Sequence, residues 1–481
     1  MAYKHGVYIS EQPTSIVPPR RVSAGLPVVF GSAPVNMTDE QPVNKPVLAY
    51  TYQEAVQSLG WSEDWAKFSL CEFMDAYFGK FAMAPVVFIN VLDPAEHTAS
   101  VADEAHTFAD SQITLDNEGV LHGTVVVKST DTEPVTHELD TDYTLGFDAD
   151  GNTVITRLTD GTITEGEEVS VSYDHLDPSA LTVDDIVGGI DGSTGEKSGL
   201  ELINEVFPKF RLVPGQIVAP GWSYETDVAA TMAAKAGNIN NHFQALALVD
   251  LDDTSVTKYS DAPETKNTNN LTDELQVVCW PRIKLGKKTY WMSSQLAGLT
   301  AQTDADHEDI PYASPSNNNF QMDSAMANSA EVWLGPGEAN YLNGNGIVTA
   351  LNFIGGWKAW GNRTGAYPAV TDVKDAFLPI RRMFNWIGNT LTLTFWQKVD
   401  YPINRRLIET IVDSANIWLN GLAARQFILG GRVEFNESEN VVTDLMDGII
   451  KFHVYVTPPS PAREIDFILE YDPEYLSTLF G

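Results

Sequence analysis

The sequence has 481 residues, of which 43% are hydrophobic and 10% aromatic, and its formal net charge is −35. That length exceeds one small core, so about two to four domains are expected, and the apolar content excludes wholesale disorder. The charge excludes a general nucleic-acid binder, whose affinity comes from Lys and Arg meeting phosphates, and no run of about eighteen apolar residues is available to cross a membrane.

The opening residues, MAYKHGVYISEQ, lack the apolar core of a secretion signal. Within them GVYIS (Gly6, Val7, Tyr8, Ile9 and Ser10) reads as a short strand. Pro13, Pro18 and Pro19 cannot continue it, so residues 1–20 form an arm that holds the strand away from the rest of the chain. A strand needs a neighbour for its backbone N–H and C=O groups, and the sequence leaves open whether that sheet is its own or another molecule's. Residues 25–34, GLPVVFGSAP, are an apolar run ended by Gly and Pro, which marks a buried strand. Residues 51–80 carry helical periodicity with a break at Gly60, and APVVFINVLDP (84–94) is a second buried strand. Strand, helix, strand in that order predicts a parallel α/β unit.

The composition then changes. From His97 to about Asp185, Thr, Val, Asp and Gly dominate, and alternation appears in 123–130, 152–159 and 167–174 between turn signals such as DADGN and TDGT. This predicts a small all-β unit inserted into the α/β one. It holds 20 Asp and Glu against Lys128 and Arg157, a net of −18. From about Val187 the α/β style resumes, with helical patterns in GLELINEVFPKF and DVAATMAAKAGN and buried strands in 243–253, 275–283 and 346–361. The last part begins near Asn362. Residues 371–397 open on a helix-capping signal at Thr371, 403–424 form a second helix, and QFILGGRVEF, IIKFHVYVT and EIDFILEY alternate as strands. Lys451, His453 and Tyr455 fall on one strand face, Phe452, Val454 and Val456 on the other. Residues 361–432 are basic against the trend, with 9 Lys and Arg against 5 acids.

Motifs that carry chemistry are scarce. GPGEAN (335–340) lacks the third Gly and the Lys-Ser of a phosphate loop. The nine histidines show no metal-ligand spacing. Cys71 and Cys279, the two cysteines, read as buried free thiols of a protein folded in a reducing cytosol. LHGTV around His122 is a fragment of the histidine motif of subtilisin-like proteases, but it lies in the acidic β segment and no serine elbow comes after it. No catalytic, metal or cofactor site is therefore expected.

These stretches together resemble the contractile phage tail sheath family. GVYISE followed by AGLPVVFGSAP is similar to its opening; VAPGWS (218–223), residues 298–317 and WKAWGNRT (357–364) are similar to its central domain; INRRLIETI (403–411) resembles its C-terminal helix and EIDFILEYDP (464–473) its closing strand. Trp360, Gly361, Arg363 and Thr364 are the most specific matches. The resemblance implies an α/β and α+β multidomain chain: a non-catalytic subtilisin-like α/β domain (21–96 and 186–361), an inserted β-sandwich-like domain (97–185), and an α+β C-terminal domain (362–481), with extended arms at both ends. It implies a structural subunit, made in the host bacterial cytoplasm, that stacks in hexameric rings around an inner tail tube, meets baseplate and tail terminator proteins, binds neither nucleic acid nor membrane, and contracts to drive the tube through a cell envelope. A single chain points to a phage tail or a phage-tail-like bacteriocin. In that family both arms add strands to a sheet of a neighbouring subunit, which assigns Gly6–Ser10 and Ile465, Phe467, Leu469 and Tyr471 to intersubunit strands. The family's C-terminal domain lies innermost, so Arg381, Arg382, Arg405 and Arg406 are candidates to face an acidic tube, with ion pairs inside the domain as the alternative for each. A subtilisin-like hydrolase and another shell or tube protein, such as a capsid protein, are the competing readings.

Overall fold

Residues 27–31 are apolar without alternation, as suits a strand covered on both faces. The computed structural model, which describes residues 23–148 and 151–480, places them as β1 (Pro27–Gly31), wholly buried. The arm expected at 1–20, with its strand at Gly6–Ser10, lies outside the described residues. β1 belongs to an eight-stranded sheet with β2 (Pro46–Ala49), β3 (Val86–Asn90), β4 (Gln216–Val218), β5 (Leu246–Asp250), β6 (Gln276–Cys279), β7 (Ile347–Asn352) and β8 (Trp357–Trp360). The order is β2-β3-β1-β4-β5-β6-β7-β8. The strands from β3 to β7 are parallel, and β2 and β8 are antiparallel edges. The strand order reverses between β1 and β4, where the chain returns after leaving the sheet at β3.

The periodic stretch 51–80 breaks where Gly60 adopts φ +80°, and a Cβ there would lie 2.2 Å from the Pro34 carbonyl oxygen. Its first helix, Tyr52–Leu59, is capped by the Thr51 side chain, which accepts from the Glu54 N–H. Helices α1 (Thr226–Gly237) and α2 (Met292–Ala305) pack on β4 and β5. Twelve of the residues of α2 are buried, so it has no polar face to give a period, and its helical character is not legible in the sequence.

Between β3 and α1 the acidic stretch forms two three-stranded antiparallel sheets, Thr98–Thr107 with Glu168–Leu176 and Val126–Ser129, and Gln112–Thr114 with Thr153–Arg157 and Tyr143–Phe147. Phe108, Val127, Tyr143, Ile155 and Val171 give them an apolar core of their own. The two ends of the stretch meet: the Asp177 N–H donates to the His97 carbonyl at 2.8 Å, and His97 Nε2 lies 3.6 Å from the Asp185 carboxylate.

After β8 come α3 (Leu378–Phe395) and α4 (Arg405–Ala424), then the hairpin β9 (Gly430–Glu434) and β10 (His453–Thr457). The capping residue before α3 is Asp372, whose carboxylate accepts from the Lys374 N–H ahead of a short turn of helix, and not Thr371 as expected. The core of the central sheet continues unbroken into this part: Met383, Trp386, Trp418 and Leu419 join the same apolar cluster as Val28 and Leu248. The Trp386 and Trp418 rings lie 5.6 Å apart. No helix among the described residues is long and apolar enough to cross a membrane.

Candidate intersubunit surface

The hairpin β9–β10 is a sheet of two strands only, a size that is marginal alone. One of its faces is secured by α4. The Asn416 side chain donates to the Val433 carbonyl at 3.0 Å and accepts from the Val433 N–H at 2.8 Å, so it closes the outer edge of β9 at that residue. Phe452, Val454 and Val456 pack toward the main core, as the alternation predicted. Among the described residues no third strand pairs with the outer edge of β10, which leaves a row of donors and acceptors open to another chain.

The segment after the hairpin has the opposite defect. Residues 458–472 contain no helix or strand, and EIDFILEY, expected as a strand, has no sheet to join within the described residues. The pattern alternates, with Ile465, Phe467, Leu469 and Tyr471 on one face and Glu464, Asp466, Glu470 and Asp472, interrupted by Ile468, on the other. Among the described residues the segment is paired with no edge. Phe467 is 87% exposed and Leu469 95%. Large apolar side chains gain about 1.5–3 kcal/mol each on burial, so a run of them held in solvent marks a surface meant to be covered.

No family model matches the sequence. The chain is 28% identical to the tail sheath protein of Burkholderia phage BcepMu over an alignment that covers all of this chain and 99% of that protein. A putative prophage major tail sheath protein of Pseudomonas aeruginosa is 23% identical over 64% of this chain and 78% of its own length. Tail sheath proteins are thus what this chain is similar to, in the first case along its whole length. The mixed α/β multidomain fold is also that of the sheath protein in the contracted sheath complex of the extracellular contractile injection system PVC, with a TM-score of 0.58, 13% identity and 99% of both chains covered. The crystal structure of a sheath tail protein from Desulfitobacterium hafniense gives a TM-score of 0.52 at 11% identity, over 89% of this chain and 93% of that one.

Within this sheath fold the four candidate arginines separate. Arg382 is 2% exposed and forms a bidentate pair with the buried Asp304 of α2: Nη1 donates to Oδ1 at 2.8 Å and Nη2 to Oδ2. Burial pushes the Asp304 carboxyl upward and the Arg382 charge opposes the shift. The expectation that Arg382 faces a tube is therefore corrected: its charge is spent on clamping α3 to α2. Arg381 lies largely inside as well, held by the Asp375 carboxylate at 3.1 Å and by Asn385. Arg405, whose side chain is 91% exposed, pairs with Glu409 one turn along, and Arg406 is exposed with no ion pair among the described residues. Both open α4, where the Asn404 side chain caps the Leu407 N–H and where the helix dipole disfavours cations.

The specific stretch at 360–364 works as a structural turn between β8 and the C-terminal helices. Gly361 has φ +146°, and a Cβ on it would meet the Val348 Cα at 2.9 Å. The Arg363 guanidinium lies between the rings of Tyr367 and Phe377, 4.2 and 3.7 Å from their centres. Thr364 is fully buried and donates to the Asp375 carbonyl.

Polar groups at the carboxyl ends of the strands are present without the arrangement of a triad. The buried Asp250 accepts from Ser223 Oγ at 3.2 Å and from the Ser293 N–H at 3.0 Å, and burial lifts its carboxyl to about 6. Glu72 Oε1 accepts from the Trp291 N–H and from Ser294 Oγ, and burial pushes this carboxyl to about 8. His122 is elsewhere: Nε2 meets Thr153 Oγ1 in the acidic unit and the ring stacks on Phe147. In the same unit Glu104, His106 and Asp116 bring their ligand atoms within 4.8 Å of one another, but Tyr173 and His106 already occupy the Glu104 carboxylate.

Proposed function

We propose that this chain is the structural subunit of a contractile tail sheath, polymerising in stacked rings around an inner tube and shortening to drive that tube through a bacterial envelope. The carrying observation is the complementary defect of its C-terminal part: among the described residues β10 has an open edge, and the exposed alternating segment at 464–472 is received by no strand. Strand addition between copies satisfies both at once, since backbone hydrogen bonds give affinity and the alternating side chains give register. Gly6–Ser10 supply the second arm, and the domain division expected from the sequence, with a subtilisin-like domain at 21–96 and 186–361, the β insert at 97–185 and the C-terminal domain at 362–481, serves this reading. Arg405 and Arg406, both exposed, remain the candidates to meet an acidic tube. Baseplate and terminator proteins are the further partners, and the particle is assembled in the host cytoplasm. Relatives that are structural sheath proteins support a chain without catalysis. Negative-stain microscopy of the purified protein tests the proposal: hollow striated cylinders are expected, and dispersed monomers at every concentration and salt would refute it.

A further inference from the structure

The strand order reverses between β1 and β4, and in open parallel sheets ligands bind in the crevice outside the carboxyl ends of the strands at such a point. A cleft of about 580 Å³ lies there. Ser32, directly after β1, and Gly221, Trp222 and Tyr224, in the loop after β4, line it together with the hairpin of Arg282–Leu285 and Lys288–Tyr290. Its size is that of a small-molecule pocket, about 300–1,000 Å³, and the assembly reading makes no use of it.

The charge of this cleft runs against that of the chain. The whole sequence holds 65 Asp and Glu against 30 Lys and Arg, whereas the lining holds Lys67, Arg282, Lys287 and Lys288 against Glu63. Lys67 is paired with Asp64 and Lys288 with Glu63. Arg282 and Lys287 have no ion pair among the described residues. Aromatic rings hold two of the cations: Arg282 lies 4.3 Å from the centre of the Trp291 ring and Lys288 4.4 Å from that of Trp65. Among the described residues the Arg282 guanidinium makes one hydrogen bond, from Nη2 to the Thr289 carbonyl at 3.3 Å. Its buried neighbours give it no counter-ion. Glu72, kept at about 8 by burial against the Arg282 charge, is mostly uncharged at neutral pH, and the Asp250 carboxylate bonds to Ser223 and the Ser293 N–H instead.

We infer that this cleft is a binding site for a small aromatic phosphate, of the class of the nucleoside monophosphates. A phosphate monoester carries nearly two negative charges and three acceptor oxygens. That suits two cations without a counter-ion and a third shared with an exposed carboxylate, whereas a single carboxylate is satisfied by one arginine. Trp222 and Tyr224 are partly exposed and give a base flat surface to stack on. The Tyr224 ring is itself stacked on Trp291 at 5.4 Å, the ring that carries Arg282, so the aromatic and cationic parts of the site are joined. The net charge that excludes a nucleic-acid binder does not oppose this, since the field inside a cleft is set by its own lining.

The test is isothermal titration calorimetry of the unassembled full chain with AMP, inorganic phosphate and adenosine. AMP is expected to bind at least about tenfold more tightly than either of the other two, and more weakly as salt rises. Arg282→Gln is expected to weaken AMP at least about tenfold. No heat from AMP at millimolar concentration, equal binding of AMP and inorganic phosphate, or an affinity unchanged by the substitution would overturn the inference. Should Arg282→Gln fail to fold, Lys287→Glu at an exposed position provides the second measure: it turns an attraction into a repulsion, so AMP is expected to bind about tenfold more weakly, and equal affinity would overturn the inference. Binding is read without assembly, so its failure would leave the sheath reading untouched.

Discussion

Arg381 and Arg382 are adjacent in sequence to each other and alike in charge to Arg405 and Arg406, and their surroundings give them different work. Removing one member of the buried Arg382–Asp304 pair strands the other charge in the core. Arg382→Ala or Asp304→Asn is therefore expected to cost about 3–5 kcal/mol of stability, measured by urea unfolding. Arg405→Glu with Arg406→Glu is expected to change stability by less than about 1 kcal/mol, since the one pair it breaks is exposed, while sheaths form without a tube; normal tube-filled sheaths from this variant would remove the tube-facing role. Glu72 gives a pH signature. Its carboxyl is held at about 8 in the folded protein against 4.5 for the free group. Between those values the unfolded chain releases the proton and the folded chain keeps it, so this residue's contribution to stability falls as pH rises. Glu72→Gln should flatten that fall: its unfolding midpoint should gain on the natural protein's between pH 5 and pH 8, and parallel curves would refute the assignment.

At the scale of elements, β1, β3, β5, β6 and the β7–β8 stretch were legible because each lies in an apolar run closed by Gly, Pro or Asp, and burial on both faces demands such runs, whereas β2 and β4, with four and three residues, are too short to show a pattern and were not read as strands. Helix α4 was legible because it keeps one polar side: Leu407, Ser414, Ala415, Trp418, Leu419 and Leu422 are buried, while Glu409, Asp413 and Asn420 face outward. Helix α2 was not, because small and polar residues such as Ser293, Ser294 and Gly298 are buried all round it, and Gly298 is there to admit Phe81, whose ring would meet an added Cβ at 2.5 Å. The segment 464–472 shows the reverse case. Its alternation was plain, yet a strand forms only against an edge, and among the described residues this segment pairs with none. Deleting residues 460–480 should leave the unfolding midpoint nearly unchanged, because the removed residues are almost all exposed, and should abolish polymerisation in light scattering. A large loss of stability would show that the segment belongs to its own chain's fold.

For the whole molecule, the charge distribution and the topology agree on a separable acidic unit. It has its own core, and its two ends meet at His97 and Asp185. Replacing residues 98–184 with a short Gly-Ser linker is expected to leave a folded chain that still polymerises into cylinders of smaller outer diameter, because a region at −18 is costly to pack against its own copies. Failure to assemble with the fold intact would place the unit in a contact between subunits. The sequence by itself determined the alternation of α/β, β and α+β styles, the missing catalytic spacing and the family likeness, because these rest on local period, composition and motif order. Only the tertiary structure decided that Arg382 is a clamp, that Asn416 closes one edge of the hairpin while β10 pairs with no further strand among the described residues, and that the 360–364 turn is held by buried threonine and stacked arginine. Those depend on which distant residues share a core, and a buried pair, an open edge and a solvated arginine carry the same letters until packing brings their neighbours together.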